Sequence, residues 1–249
     1  MRNLANYVQL NLSKKVKSAG RKSNIIIAAS STEMENLLRH FPKKNMAVIN
    51  ETGANYTLQP ASKKRIRSLT LVWSGRHQPM KALPFLLYAL KQFSQEVDYH
   101  LDILGAGPET HRWKKLSKKL NLENRISWHG WLDREAAVRY MGNADLFVFT
   151  SLKEATSTVV MESIALGTPV ICIDVCGMRD VVDSTCGRKI PLESPQAMIN
   201  NLTYTLLELY YDRDLLEKLS AGASGRAELF SWDHKVSKIA EAYHRAHHG

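Results

Sequence analysis

From Ser68 onward, short apolar runs alternate with stretches whose apolar positions recur at helical spacing. Ser68-Leu-Thr-Leu-Val-Trp-Ser74 is rich in apolar and β-branched residues and ends at Gly75, which predicts a strand. Residues 82–93 then place Leu83, Leu86, Leu87 and Leu90 at the spacing of a helix that buries one face. The same reading predicts strands at 100–104, 125–129, 145–150 and 168–174, separated by helices at 109–120, from Asp133 to about Met141, and at 157–166. Asp133 is a good helix N-cap, and Ser194-Pro195 pairs an N-cap with proline at the first helical position. A short strand is expected after Gly187, and helices run from there to the end, the last beginning near Ser231-Trp232-Asp233. Apolar strands alternating with amphipathic helices predict an α/β fold with a doubly wound parallel sheet, Rossmann-like and covered on both faces.

The front of the chain reads differently. Asn24-Ile-Ile-Ile-Ala-Ala-Ser30 and Met46-Ala-Val-Ile-Asn50 are strand-like, with a helix from Thr32 to about His40 between them. Two strands and one or two helices are too little for an independent domain, so residues 1–67 read as the tail of one. Lys63-Lys-Arg-Ile-Arg67 has the composition of a solvated linker. The expected division is 1–67, 68–231 and a final helix over 232–249.

Charge sharpens this division. The 249 residues carry a net charge of +10, and residues 1–70 hold 13 Lys/Arg against three acids, Glu33, Glu35 and Glu51. The remainder is neutral, with 21 residues of each sign. A basic front end suits a solvated face, an anionic membrane surface or an acidic partner. No nucleic-acid-binding fold is apparent, so no nucleic acid is expected as a partner. No apolar run approaches the roughly 20 residues that cross a bilayer, and the first residues lack the apolar centre of a secretory signal. Three cysteines are an odd number, which excludes a disulfide scaffold and suits a reducing cytoplasm. No second ligand pair accompanies Cys172 and Cys176, so no metal site is expected.

Ligands of open α/β sheets bind beyond the carboxyl ends of the strands. Gly75-Arg76, followed by Lys81, puts two cations where they can embrace a diphosphate. Gly105-Ala-Gly-Pro108 is a second tight turn, but Thr110 stands where a dinucleotide fingerprint needs its third glycine. Glu154-Ala-Thr-Ser-Thr-Val-Val-Met-Glu162 follows a strand and opens a helix, with Ser157 and Thr158 at the start where free N–H groups favour an anion. Glu154 and Glu162 flank that anion site and suit sugar hydroxyls. By themselves they are equally well explained as a helix cap and a surface residue. His77 is expected to be a solvated loop histidine.

In combination these segments resemble a known family. The order Gly75-Arg76…Lys81, Gly105-x-Gly107-Pro108, His129-Gly130-Trp131, Asp145 to Ser151, Glu154-x7-Glu162 and Gly167-x-Pro169-Val170 is similar to the C-terminal half of retaining, nucleotide-sugar-dependent glycosyltransferases of the two-Rossmann-domain (GT-B) type. The turn after Glu154 departs from that family's usual Gly-Phe-Gly-Leu and reads Ala155-Thr-Ser-Thr158.

The resemblance implies a nucleotide-diphospho-sugar as donor, a glycan or lipid-linked acceptor, and no metal or other cofactor. It implies that Arg76 and Lys81 bind the diphosphate and stabilise the leaving group, and that Glu154 holds donor-sugar hydroxyls. Glu162 would take the ribose hydroxyls, the N–H groups of Ser157, Thr158 and Val159 the phosphates, and Gly130-Trp131 would lie by the base. With Gly75 in the first loop, these are the expected site residues. An acceptor domain, missing or on a separate partner chain, is expected to complete the enzyme, and the basic front end to touch a membrane bearing the acceptor. The alternative is a truncated, non-catalytic nucleotide-sugar-binding protein or subunit.

Overall fold

The computed structural model describes residues 13–54, 68–93 and 97–248. The basic linker expected at 63–67 lies outside them. The large domain begins with strand β3 (Leu69–Ser74), a 3₁₀ turn (Pro79–Lys81) and helix α3 (Leu83–Phe93). It continues with β4 (Tyr99–Leu104), α4 (Thr110–Lys119), β5 (Ile126–Gly130) and α5 (Arg134–Asn143). The second half runs β6 (Leu146–Phe149), α6 (Thr158–Ala165), β7 (Val170–Ile173), the short α7 (Met178–Val181) and β8 (Gly187–Ile190). Helices α8 (Pro195–Tyr211), α9 (Arg213–Arg226) and α10 (Trp232–His248) close the chain.

The six strands pair in parallel in the order β5-β4-β3-β6-β7-β8. The chain winds outward from β3 to β5, then returns beside β3 to wind the other way. The crossover direction therefore reverses between β3 and β6, and the carboxyl ends of these strands are where open α/β sheets take their ligands. Successive side chains of β3 serve opposite faces. Leu69, Leu71 and Trp73 join α3, α4 and α8 through Leu83, Leu86, Leu90, Trp113 and Leu206. Val72 joins the other layer with Phe147, Val160, Met161 and Ile164. All four residues of β6 and of β7 are buried, as a sheet covered on both faces requires.

The helix caps follow the sequence. Asp133 accepts from the Ala136 N–H at 2.7 Å, and Ser194 from Ala197 at 3.3 Å. Asp212 caps α9 and breaks the last helical stretch into two.

Residues 13–54 form helix α1 (Lys14–Lys22), β1 (Ile25–Ala28), α2 (Ser31–His40) and β2 (Asn45–Val48). Among the described residues the strands pair only with each other, in parallel, with Ile25 opposite Asn45. β1 ends earlier than the sequence suggests because Ser30 leaves it to cap α2 through its hydroxyl, and β2 ends at Val48. Glu33 reaches back to the Ala29 N–H at 2.8 Å, completing a reciprocal cap. Hydrogen bonds tie this piece to the rest: the Ser31 N–H (2.7 Å) and hydroxyl to the Asp180 carboxylate, the Thr52 hydroxyl to Met161 Sδ (3.7 Å), Asn24 to the Ala246 carbonyl (3.0 Å), and the Ala54 N–H to the Phe230 carbonyl (2.9 Å).

Candidate functional site

The loops that leave β3 and β6 are knitted together. The Trp73 indole N–H donates to Thr150 Oγ1 at 3.0 Å, and that hydroxyl donates to the Lys81 carbonyl at 2.8 Å. The Leu152 N–H donates to the Met80 carbonyl at 2.9 Å. This fixes the Pro79–Lys81 turn so that Lys81 Nζ forms an ion pair with Glu154 Oε2. The Ser151 hydroxyl donates to the same oxygen at 3.4 Å, and the ammonium lies 5.1 Å from the Phe149 ring centre. Two residues 73 apart in sequence, one of each charge, thus meet at the switch point. Arg76 stands exposed on the β3 loop.

Glu154 does not cap the following helix; its carboxylate is taken by Lys81. The N-cap of α6 is Ser157, which makes no side-chain cap bond and is buried, with Thr158 exposed and Val159 half-buried behind it. The first-turn N–H groups of α6 are therefore left for a ligand or solvent. Residues 155–158 adopt no left-handed backbone, so alanine, threonine and serine accommodate the turn without strain. The turn is buttressed from behind by Gly177, whose N–H donates to the Glu154 carbonyl at 3.2 Å. A Cβ on Gly177 would come within 1.7 Å of the Ala155 carbonyl oxygen.

Glu162 is 6% exposed, so it is not a surface residue. It pairs with Arg134, at the start of α5, through Nε (3.1 Å) and Nη2 (3.0 Å). Nothing in the sequence points to Arg134, which lies 28 residues from its partner and in a different element.

At the other strand ends the glycines serve the fold. Gly105 has φ +105°, and a Cβ there would sit 2.1 Å from the Gly75 carbonyl oxygen. The β3 and β4 loops thus press backbone to backbone, with Gly75 N–H on the Leu104 carbonyl at 3.1 Å. Gly105 N–H in turn donates to the Gly130 carbonyl at 2.7 Å, holding the end of β5 in the same layer. The Trp131 side chain is 69% exposed just beyond it.

His77 corrects the sequence-based expectation, because it is 1% exposed rather than solvated. Its ring packs among Trp73, Trp113 and Trp128, with centroids 5.5, 5.0 and 5.8 Å away. Its Nδ1 lies 2.8 Å from the Thr110 hydroxyl, which is also 2.8 Å from the Gly107 carbonyl. Nε2 is buried without a hydrogen-bond partner among the described residues. Burial pulls the pKa from 6.5 down to about 4, opposed by the Leu104 carbonyl and aided by the Lys114 ammonium. His77 is a neutral pillar under the Arg76 loop. A tryptophan at each of three strand or helix positions was the available signal for such a buried pocket.

Among the described residues, no group of three or more His, Cys, Asp or Glu side chains is placed to hold a metal ion. No helix there is long and apolar enough to cross a membrane.

Comparison with known proteins agrees with this architecture. The sequence model of the family "Glycosyl transferases group 1" matches residues 57–223. A D-inositol 3-phosphate glycosyltransferase of Streptomyces bingchenggensis is 28% identical over 248 residues, covering 90% of this chain and 53% of that protein. A Campylobacter jejuni N-acetylgalactosaminyltransferase, named for a diacetylbacillosaminyl-diphospho-undecaprenol acceptor, is 27% identical over 215 residues, 84% of this chain and 57% of its own. The chain thus spans about half the length of the curated relatives it matches. Among solved structures, the pneumococcal O-GlcNAc transferase GtfA in complex with UDP and GlcNAc superposes with a TM-score of 0.79 at 20% identity, over 96% of this chain and 48% of that one. Anabaena HepE in complex with UDP gives 0.74 at 19% identity, over 90% and 65%. At such identities these two speak for the fold, which is that of the GT-B enzymes.

Proposed function

The chain belongs to the glycosyl transferases group 1 family, and from that premise we propose that it binds a nucleotide-diphospho-sugar for retaining transfer of the sugar to a glycan or lipid-linked acceptor. One observation carries the reading: Lys81 and Glu154 are brought together across the switch point, at the uncapped N terminus of α6, with Glu162 on the same helix. Lys81, with Arg76 beside it, meets the diphosphate and stabilises the negative charge that develops on the leaving group. The N–H groups of Ser157, Thr158 and Val159 take phosphate oxygens along the helix axis. Glu154 accepts hydroxyls of the donor sugar, and its ion pair with Lys81 opens as the donor enters. Glu162 accepts the ribose hydroxyls, and Gly75 with Gly130-Trp131 frames the two ends of the nucleotide. The phosphate charge is met by cations and helix dipole, so binding is expected to persist in EDTA.

Transfer requires an acceptor held beside the donor. We assign that task to an acceptor-binding half, on the same polypeptide or on a partner chain, that closes over the donor site. We assign to the basic front end, residues 13–54 included, contact with an anionic membrane carrying a lipid-linked acceptor.

Calorimetry with UDP-, GDP- and ADP-sugars tests the central reading. Binding of one of them, weakened in Lys81→Ala and Glu162→Gln, is the expected result; no binding by any would overturn it.

A further inference from the structure

We infer that Arg134 is a positioning residue that aims one oxygen of Glu162 at the ribose, an assignment resting on the reading of Glu162 given above. Arg134 opens α5 directly after its N-cap, Asp133, whose bond to the Ala136 N–H (2.7 Å) pins the start of the helix. It lies four positions beyond Gly130, at the helix start that follows the loop assigned above to the base. Its Nε and Nη2 stand 3.1 and 3.0 Å from the same atom, Glu162 Oε1.

The choice of atom matters. A guanidinium fork set on both carboxylate oxygens, the usual bidentate arrangement, would occupy the acceptor that a ligand needs. Two N–H groups on Oε1 hold the carboxylate plane and leave Oε2 to accept hydroxyls. The carboxylate needs such a hold, since its side chain is only 8% exposed. A buried charge deprived of its partner is strongly disfavoured. The Arg139–Glu135 pair on the same helix is different in kind. Both its side chains are well exposed, at 65% and 83%, whereas the exposed Arg134 side chain (59%) grips a buried carboxylate (8%). The Arg139–Glu135 pair serves as the internal control.

The test uses the whole chain and calorimetry with UDP, GDP and ADP. The tightest binder is compared with its 2′,3′-dideoxy counterpart, and the ribo-to-dideoxy affinity ratio is the readout. Arg134→Gln is expected to weaken the ribonucleotide about tenfold and the dideoxy analogue hardly at all, so that the ratio falls towards one. Arg134→Lys keeps the charge without the double grip and is expected to lie between, and Arg139→Gln to match the wild type. Circular dichroism checks that each variant is folded. An equal loss for both nucleotides, or no loss for either, would overturn the inference. Glu162→Gln separates the two levels. If it collapses the ratio while Arg134→Gln does not, the role of Arg134 falls and that of Glu162 stands. If Glu162→Gln leaves the ratio intact, the ribose reading falls and takes the inference with it.

Discussion

The six-stranded sheet and the two-stranded sheet are both parallel and both built from strand–helix–strand units, yet they differ sharply in what they bury. In the large domain β6 and β7 are wholly buried, and helices on both faces contribute to two continuous cores. In the front piece β1 buries one residue and β2 none, and neither α1 nor α2 buries any. Ile27 and Leu38 are left with large exposed areas. Parallel strands are stable when covered on both sides, and each fully buried aliphatic side chain is worth roughly 1.5–3 kcal/mol. The large domain therefore carries its own stability, while the front piece leans on its hydrogen bonds to it and on Ala54, which joins the large domain's core. The candidate donor site lies wholly within the part that stands alone.

The largest test of this contrast is Gly177→Ala. The added Cβ meets backbone on the opposing loop, which has no flexible end to give way. A loss of at least about 3 kcal/mol is expected by chemical denaturation, with the nucleotide site lost alongside it. Gly225→Ala in α9, where a Cβ meets nothing within 4 Å, should leave stability unchanged or slightly improved.

Next is pH. His77 refuses a proton until about pH 4 when folded, whereas its unfolded form accepts one near 6.5. The unfolded state thus binds more protons between those values, and stability falls as pH falls through that window. The loss approaches roughly 3 kcal/mol at its lower end. His77→Asn should flatten that slope, as urea midpoints measured between pH 7 and pH 4 will show. A wild-type slope unchanged in the variant would mean that His77 is not the group responsible.

A smaller effect is expected at the ligand site itself. Lys81→Ala should weaken nucleotide-sugar binding by about 2 kcal/mol, or roughly 30-fold, through loss of one charge-assisted contact. The thermal midpoint should move little, because the ion pair with Glu154 is partly exposed and modest in worth.

The smallest effect sharpens the comparison most. Ser31→Ala removes a hydroxyl from the Asp180 contact and should cost about 1 kcal/mol at most. Faster hydrogen exchange in β1 and β2, with nucleotide affinity intact, is the expected signature. Loss of affinity in Ser31→Ala would show that the two regions are coupled more tightly than the burial pattern implies.

Much of the large domain was legible residue by residue. The apolar runs of β3, β6 and β7 and the caps Asp133 and Ser194 announce themselves, because local backbone preference and burial agree there. Helix α1 was harder to place, since Lys14-Lys-Val-Lys-Ser-Ala-Gly-Arg-Lys22 holds Val16 as its one large apolar residue and buries none. At the site, Lys81, Glu154 and Glu162 carried signals in the sequence through their positions after strands and on a helix start. The environment of each did not. Glu162 was open to being a surface residue and proved buried, and His77 was expected in solvent and proved enclosed by three tryptophans.

The sequence by itself determined the alternation of strands and helices, the segregation of positive charge to the front, and which residue types stand at the strand ends. Those depend on neighbours in the chain and on hydrophobic period. Only the tertiary structure decided that Lys81 meets Glu154, that Arg134 grips a single oxygen of Glu162, and that Gly105 and Gly177 are glycines because other backbone lies against them. Such contacts join segments tens of residues apart, and their geometry is set by how the sheet twists and packs rather than by any local preference of the chain.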